Sequence, residues 1–434
     1  MTKNLLIALT VIDIACIAYS TPSVTLTDVT QNSRTRTVSV SYTLADTAVV
    51  TFSASTNGVP LPPSSFRRVW GAANRLLNKG SHILYWAPER DWPVGAITNS
   101  SFQAHVTAWA TDDPPDWRVT VINTNIVASA NHRYFAHAAQ VPGGITNDRY
   151  KCTHLLMRRV HATGVTWRMG SGLRDVGRHA QETPHYVTLT NDYYLGIYEV
   201  TQRLKYHLSA LGTLGMDGPI PRAYPDAMFR PATGTRHSVM RGNTNGAQEG
   251  YEVGSDSHLK KMRAITGIKL LDFPTEAEWE FACRAGCQEE LYNGKTIADS
   301  TGDTDYVHPN LEEIAWYGAN SSTEKDNAVQ TANGFALTAL PQKVGMKKPN
   351  DWGFYDMLGN VWEMTLDNYN ANQYAEGAYY ISPQGSETAG DFTRRGGSFV
   401  DPGINCRSAF RYNYSRNAGW ERLGYRLRSP ATAD

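Results

Sequence analysis

The sequence predicts an α+β protein in two parts, an all-β N-terminal region and a longer, loop-rich region with few helices. Three observations carry that prediction. Residues 22 to 110 alternate in the manner of short strands, only two later stretches carry helix start and stop signals, and the remainder is punctuated by glycine turns. A chain of 434 residues also exceeds one ordinary core and has the length of two or three domains.

Val38–Leu44 (VSVSYTL), Ala48–Ser55, His82–Pro88 and Phe102–Ala110 are short runs rich in β-branched and aromatic residues, separated by turn segments such as TNG and PPSS. Short strands with no long helix between them predict a small β-sandwich over residues 21–112. No catalytic residue types gather there, so the region reads as a spacer or docking module. The TDDPPDW run at Thr111–Trp117 breaks the pattern, and residues 113–146 read as a linker before a second domain over 147–430.

In that second domain EVTQRLKYHLSALG (Glu199–Gly212) and PTEAEWEFACRAG (Pro274–Gly286) read as helices. The latter has proline at its start, acidic residues in its first turn and glycine at its end. Ala277, Trp279, Phe281 and Ala282 can pack inward from it, with Glu276, Glu278 and Glu280 distributed around the same helix.

Residues 1–20 read as a secretory signal: Lys3, an apolar run from Leu5 to Ala18, and small residues near Ala18–Ser20. A buried first helix is the alternative. Export predicts a secreted, periplasmic or cell-envelope protein, and no later stretch reaches the ~18 apolar residues of a membrane span. Lys plus Arg equals Asp plus Glu at 41 each, a balance that argues against a nucleic-acid partner. Beyond the signal lie Cys152, Cys283, Cys287 and Cys406. Cys283 and Cys287 read as packed small residues in preference to a metal pair, because no histidine or second cysteine pair completes a ligand set.

Several motifs then occur in a fixed order: WRMGSG, ETPHYVTLTNDYYLGIYEVTQ, FPTEAEWEFACRAG, PNDWGFYDMLGNVWEM, RRGGSF, RSAFR and LGYRLR. Together they resemble the sulfatase-modifying-factor family, the family of the formylglycine-generating enzymes. That resemblance implies a loop-rich fold related to C-type lectins, and it leaves the N-terminal region outside its reach. It also implies oxidation of a sulfatase cysteine with molecular oxygen by copper(I) held between two cysteines. A thiolate pair is the soft ligand set that copper(I) favours.

Counted forward from Gly396-Gly397-Ser398, Asp401 takes the place of the first of those cysteines and Cys406 that of the second. Counted backward from RSAFR, the loop is shorter than in formylglycine makers. Both counts leave the first cysteine absent. A carboxylate does not replace a soft sulfur, so copper is not expected, and Cys406 is the one weak catalytic candidate, with a structural role as its alternative. The family resemblance further implies a structural calcium, with Asp356, Leu358, Gly359 and Asn360 as its oxygen donors, a donor set suited to a hard cation. The alternative is that Asp356 and Asn360 cap turns.

Arg407 and Arg411 are expected to tie down C-terminal loops through Glu363 or Asp367. With Tyr414 and Trp420 they also form the candidate ligand-binding set of a non-catalytic, C-type-lectin-like module recognising protein or glycan. Whether the chain is an enzyme is thus left open between a family oxidase, a binding module and a structural envelope protein.

Overall fold

The computed structural model describes residues 21–88, 102–122, 132–209, 226–242, 251–297, 307–321, 340–386 and 390–433. The proposed signal, residues 1–20, lies outside the described residues, as does the end of the first expected helix from residue 210.

The N-terminal region contributes β1 (Val24–Gln31), β2 (Val38–Leu44), β3 (Ala48–Thr56), β4 (Val59–Pro60), β5 (Val69–Gly71), β6 (Arg75–Leu77), β7 (Gly80–Trp86) and β8 (Phe102–Trp109). They form one sheet in the order β1-β2-β7-β5 and another in the order β4-β3-β6, with β8 also paired to β3. Strand period places Val38, Val40, Tyr42 and Leu44 of β2 in the core and turns Ser39, Ser41 and Thr43 outward. Both sheets supply one apolar cluster that includes Phe52, Leu84 and Trp86, where the Trp86 indole also donates to the Ser65 carbonyl at 2.8 Å.

The second region begins earlier in the chain than the sequence reading allows. β9 (Trp117–Val121) and β10 (His132–Phe135) fall inside the stretch expected to be a linker. They instead occupy one side of a five-stranded sheet, β10-β9-β11-β14-β20, with β11 (His154–Val160), β14 (Tyr193–Gly196) and β20 (Arg428–Pro430). Short strands pair over sequence distances that a local pattern cannot reveal. The Tyr134 N–H to Asn74 carbonyl bond (2.9 Å) and the Arg67 Nε to Ala139 carbonyl bond (3.0 Å) join this sheet's surroundings to the N-terminal region.

A three-stranded sheet joins β12 (Thr166–Met169) and β13 (His185–Thr188) to β16 (Tyr379–Ile381). A four-stranded one runs β18-β17-β15-β19, from β15 (Trp362–Asn368), β17 (Phe392–Arg395), β18 (Arg411–Tyr414) and β19 (Leu423–Gly424). The described helices are short: α1 (Gln202–Leu208), α2 (His237–Arg241), α3 (His258–Thr266) and α4 (Glu276–Arg284). Helix α4 starts with a capping box. The Thr275 hydroxyl accepts the Glu278 N–H at 3.1 Å, and the Glu278 carboxylate accepts the Thr275 N–H at 2.9 Å. It ends on Ala285 and Gly286, both at positive φ.

Every residue of α4 is buried, its three glutamates included. A lone buried carboxylate would be costly. Here each meets an arginine from far along the chain: Glu276 binds Arg411 at 2.6 and 2.7 Å, Glu278 binds Arg428 at 2.6 Å, and Glu280 binds Arg284 at 2.8 Å and also Arg395. The helix is thus the hub to which the C-terminal strands are tied.

Candidate functional site

The loop between β17 and β18 carries the residues that the family's chemistry would require. Gly396 and Gly397 turn it at φ 96° and 78°. A Cβ on Gly397 would lie 2.7 Å from the Cys406 sulfur and 3.0 Å from the Asn405 carbonyl, so only glycine fits against this thiol. Cys406 itself is fully buried. Burial, reinforced by the nearby Asp401 carboxylate, pushes its thiol well above the ordinary range. Cys283, also buried, is pushed up to about 12 by burial. The four described cysteines are all free.

Asp401 is engaged elsewhere. Its Oδ2 accepts the Trp362 indole N–H at 2.8 Å and the Ser398 hydroxyl. It anchors the loop to β15.

The four residues read as ligand-binding divide into two pairs. Arg407 is fully buried: its guanidinium clasps Glu182 at 2.7 and 2.8 Å and reaches the Gly177 and Ile404 carbonyls at 2.7 and 2.8 Å. Arg411 is buried against Glu276 and donates to the Asn370 carbonyl at 3.0 Å. Both act as internal ties, buried against carboxylates and main-chain carbonyls. Their expected partners are corrected too, since Glu363 pairs with Arg426 at 2.6 Å and Asp367 accepts the Glu276 N–H at 2.6 Å.

Tyr414 and Trp420, by contrast, come together at the surface, their rings stacked 5.3 Å apart at 14°. They enclose Arg394, which the sequence reading missed. Its guanidinium carbon lies 4.3 Å from the Trp362 ring centre, 4.7 Å from Trp420, 5.2 Å from Tyr414 and 5.3 Å from Tyr412. Burial lowers this guanidinium to about 10. The signal was present in the Arg394-Arg395 doublet. Alternate strand residues face opposite sides, so Arg395 enters the core against Glu280 while Arg394 faces the aromatic side.

The calcium set can be tested against its atoms. Asp356 Oδ2 accepts the Gly345 N–H at 2.6 Å, while Oδ1 is buried without a hydrogen-bond partner. The Asn360 side chain is engaged: its oxygen accepts the Gln342 N–H at 2.8 Å, and its amide donates to the Glu199 carboxylate at 2.6 Å. Leu358 and Gly359 are buried beside them, and a Cβ on Gly359 would lie 2.2 Å from the Trp316 carbonyl oxygen. Among the described residues no group of three or more His, Cys, Asp or Glu stands ready to hold a metal. Of the two expected side-chain donors, Asp356 offers the oxygen with no hydrogen-bond partner, and the Asn360 oxygen already accepts one N–H.

Residues 156–429 match the Sulfatase-modifying factor enzyme 1-like domain. The chain belongs to that family. Over 141 residues it is 31% identical to the formylglycine-generating enzyme of Bos taurus, covering 32% of each chain. Over 110 residues it is 33% identical to the Inactive C-alpha-formylglycine-generating enzyme 2 of Bos taurus, covering 25% of this chain and 31% of that one. The matched stretch spans about a third of either curated relative. Treponema denticola variable protein 1 aligns over 64% of this chain and 96% of its own, at 21% identity and a TM-score of 0.45. The sulfatase-modifying-factor region carries its α+β fold with many short strands and few helices. No helix among the described residues is long and apolar enough to cross a membrane.

Proposed function

We propose that this protein is a non-catalytic recognition member of the sulfatase-modifying-factor family, exported from the cytoplasm and binding a protein or glycan through its C-terminal loops. The observation that carries this reading is the state of Cys406. Its thiol is sealed beneath Gly397, and the residue in the first cysteine's place is a carboxylate bonded to Trp362 and Ser398. A copper(I) centre needs two soft donors, and this loop supplies a single buried thiol. A relative named as inactive in the same family is compatible with such a loss. The recognition surface is the aromatic group around Arg394, where Tyr412 is 43% exposed and Tyr414 and Trp420 are half-buried.

Copper(I) titration against a competing chelator, followed by an oxygen-uptake assay with a sulfatase-type cysteine peptide, tests the first half. Neither tight one-to-one binding nor turnover is expected, and turnover lost in Cys406→Ser would restore the oxidase. A protein and glycan array probed with wild type and Trp420→Ala tests the second. A structural calcium, if held, would rest on Asp356 Oδ1 and main-chain oxygens. A chelator-induced fall in melting temperature that Asp356→Asn abolishes would establish it.

A further inference from the structure

A second concave site lies away from the Arg394 cluster and shares no lining residue with it. It is a cavity of about 590 Å³, where the N-terminus of α4 meets β20 and the turns after β13 and β16. That volume falls within the ordinary range for small-ligand pockets.

Its charged walls are already neutralised. Arg428 is bound by Glu278 at 2.6 Å, and Arg159 is held by Asp192 at 2.8 Å and Asp113 at 2.7 Å. Three acidic lining residues (Asp112, Asp192, Glu278) against two arginines (Arg159, Arg428) leave a net of one negative charge, which disfavours phosphates and carboxylates. The apolar lining from Leu189, two prolines, Ala431 and the Tyr251 ring is interrupted by charged and hydroxyl side chains, which does not suit a wholly hydrophobic ligand.

What remains open is polar or aromatic. The Tyr251 ring is covered on one face by the Arg428 guanidinium at 4.5 Å, and its hydroxyl has no hydrogen-bond partner among the described residues. The Gln384 amide and the Asp112 carboxylate are exposed at the rim and likewise unengaged.

The wall is also built under strain. Ser382 sits at φ 41°, a left-handed conformation that a non-glycine residue adopts at a cost. Its N–H donates to the Thr188 carbonyl at 2.9 Å, and its hydroxyl oxygen accepts the Thr190 N–H at 3.0 Å and bonds the Thr190 hydroxyl at 2.8 Å. These bonds hold the turn carrying Gln384 against the cavity.

We propose that this cavity binds one or two units of a neutral saccharide, stacked beside Tyr251 and hydrogen-bonded by Gln384 and Asp112. A neutral polyhydroxyl ligand is the class that uses an aromatic ring, an amide and a carboxylate at once, with apolar C–H faces beside its hydroxyls and no need of a free cation. Saturation-transfer NMR and calorimetry on the full chain would use neutral oligosaccharides ending in glucose, galactose, mannose or N-acetylglucosamine. Sialyllactose serves as the acidic probe and spermidine as the cationic one. At least one neutral saccharide is expected to bind, with affinity reduced tenfold or more in Tyr251→Ala and in Gln384→Ala, whose side chain is exposed and not needed for folding. The component of binding lost in both Tyr251→Ala and Gln384→Ala is the one assigned to this cavity, which separates it from any binding at the C-terminal recognition surface. No binding by any neutral saccharide at millimolar concentration would overturn the proposal. So would binding that survives both cavity variants, binding lost only in Trp420→Ala, or a preference for either charged probe.

Discussion

The two regions of this molecule both close over apolar cores but satisfy their buried polar groups differently. The N-terminal sheets close over an apolar cluster built from alternating strand residues, with hydroxyl side chains such as Ser39, Ser41 and Thr43 turned outward. The second region buries ion pairs at its centre, among them Arg407 with Glu182, Arg411 with Glu276, Arg426 with Glu363 and Arg428 with Glu278. Long ladders satisfy backbone groups by themselves, whereas glycine-rich loops leave many carbonyls unpaired. Arg395 illustrates the remedy: it donates to the Ala409, Phe410 and Ser408 carbonyls at 2.7, 2.6 and 3.0 Å while also meeting Glu280. A loop-rich fold thus uses arginines where a sheet uses its neighbouring strand.

The sharpest way to break that contrast is Arg407→Ala, which leaves Glu182 buried and uncompensated. A loss of about 3–5 kcal/mol is expected, measured by denaturant unfolding. A change below about 1 kcal/mol would show that the buried pairs are not what holds these loops. The corresponding cut in the N-terminal region is Leu84→Ala, expected to cost about 2–5 kcal/mol through lost burial and a residual cavity. Ser41→Ala on the outward face of the same sheet should stay within about 0.5 kcal/mol of wild type.

Cys406→Ser sharpens the reading of the motif loop. Placing a hydroxyl in this sealed site should cost about 1–3 kcal/mol without altering any oxygen uptake. Equal stability of the variant and wild type would argue that the thiol is more accessible than its burial states.

A pH-dependent effect concerns the seam between the regions. His132 on β10 is buried beside the Thr120 hydroxyl at 3.0 Å. Burial first, and then the charges of Arg118 and Arg133, lower its imidazole from 6.5 to about 3. The folded form therefore binds fewer protons than the unfolded chain between those values. Its contribution is intact above about pH 6.5 and declines as pH falls toward 3, by up to about 1.4 kcal/mol per pH unit. His132→Gln should flatten that part of the pH–stability curve, and an unchanged slope would assign the acid sensitivity to other groups.

Much of this architecture is legible in the sequence. Period-two alternation marked β2 and β3, and Pro274, Thr275 and Glu278 announced the start of α4, because these signals are local. The motif order carried the family, and Asp401 in the loop after the glycines carried the doubt about oxidation. The linker reading failed at β9 and β10 because five- and four-residue strands become recognisable only beside their partners.

The sequence by itself determined which residue types were available: three glutamates on one helix, a set of C-terminal arginines, one thiol in the motif loop. Tertiary structure alone decided how they pair. Glu276 and Arg411 are 135 positions apart, and Glu182 and Arg407 are 225 apart, so no local spacing encodes either contact. The same holds for Arg394, whose doublet shows that it faces away from Arg395 but not that Trp362, Tyr412, Tyr414 and Trp420 gather around it. Secondary structure follows from neighbours a few residues away, while a buried charge takes whichever partner the packed chain brings within hydrogen-bonding distance.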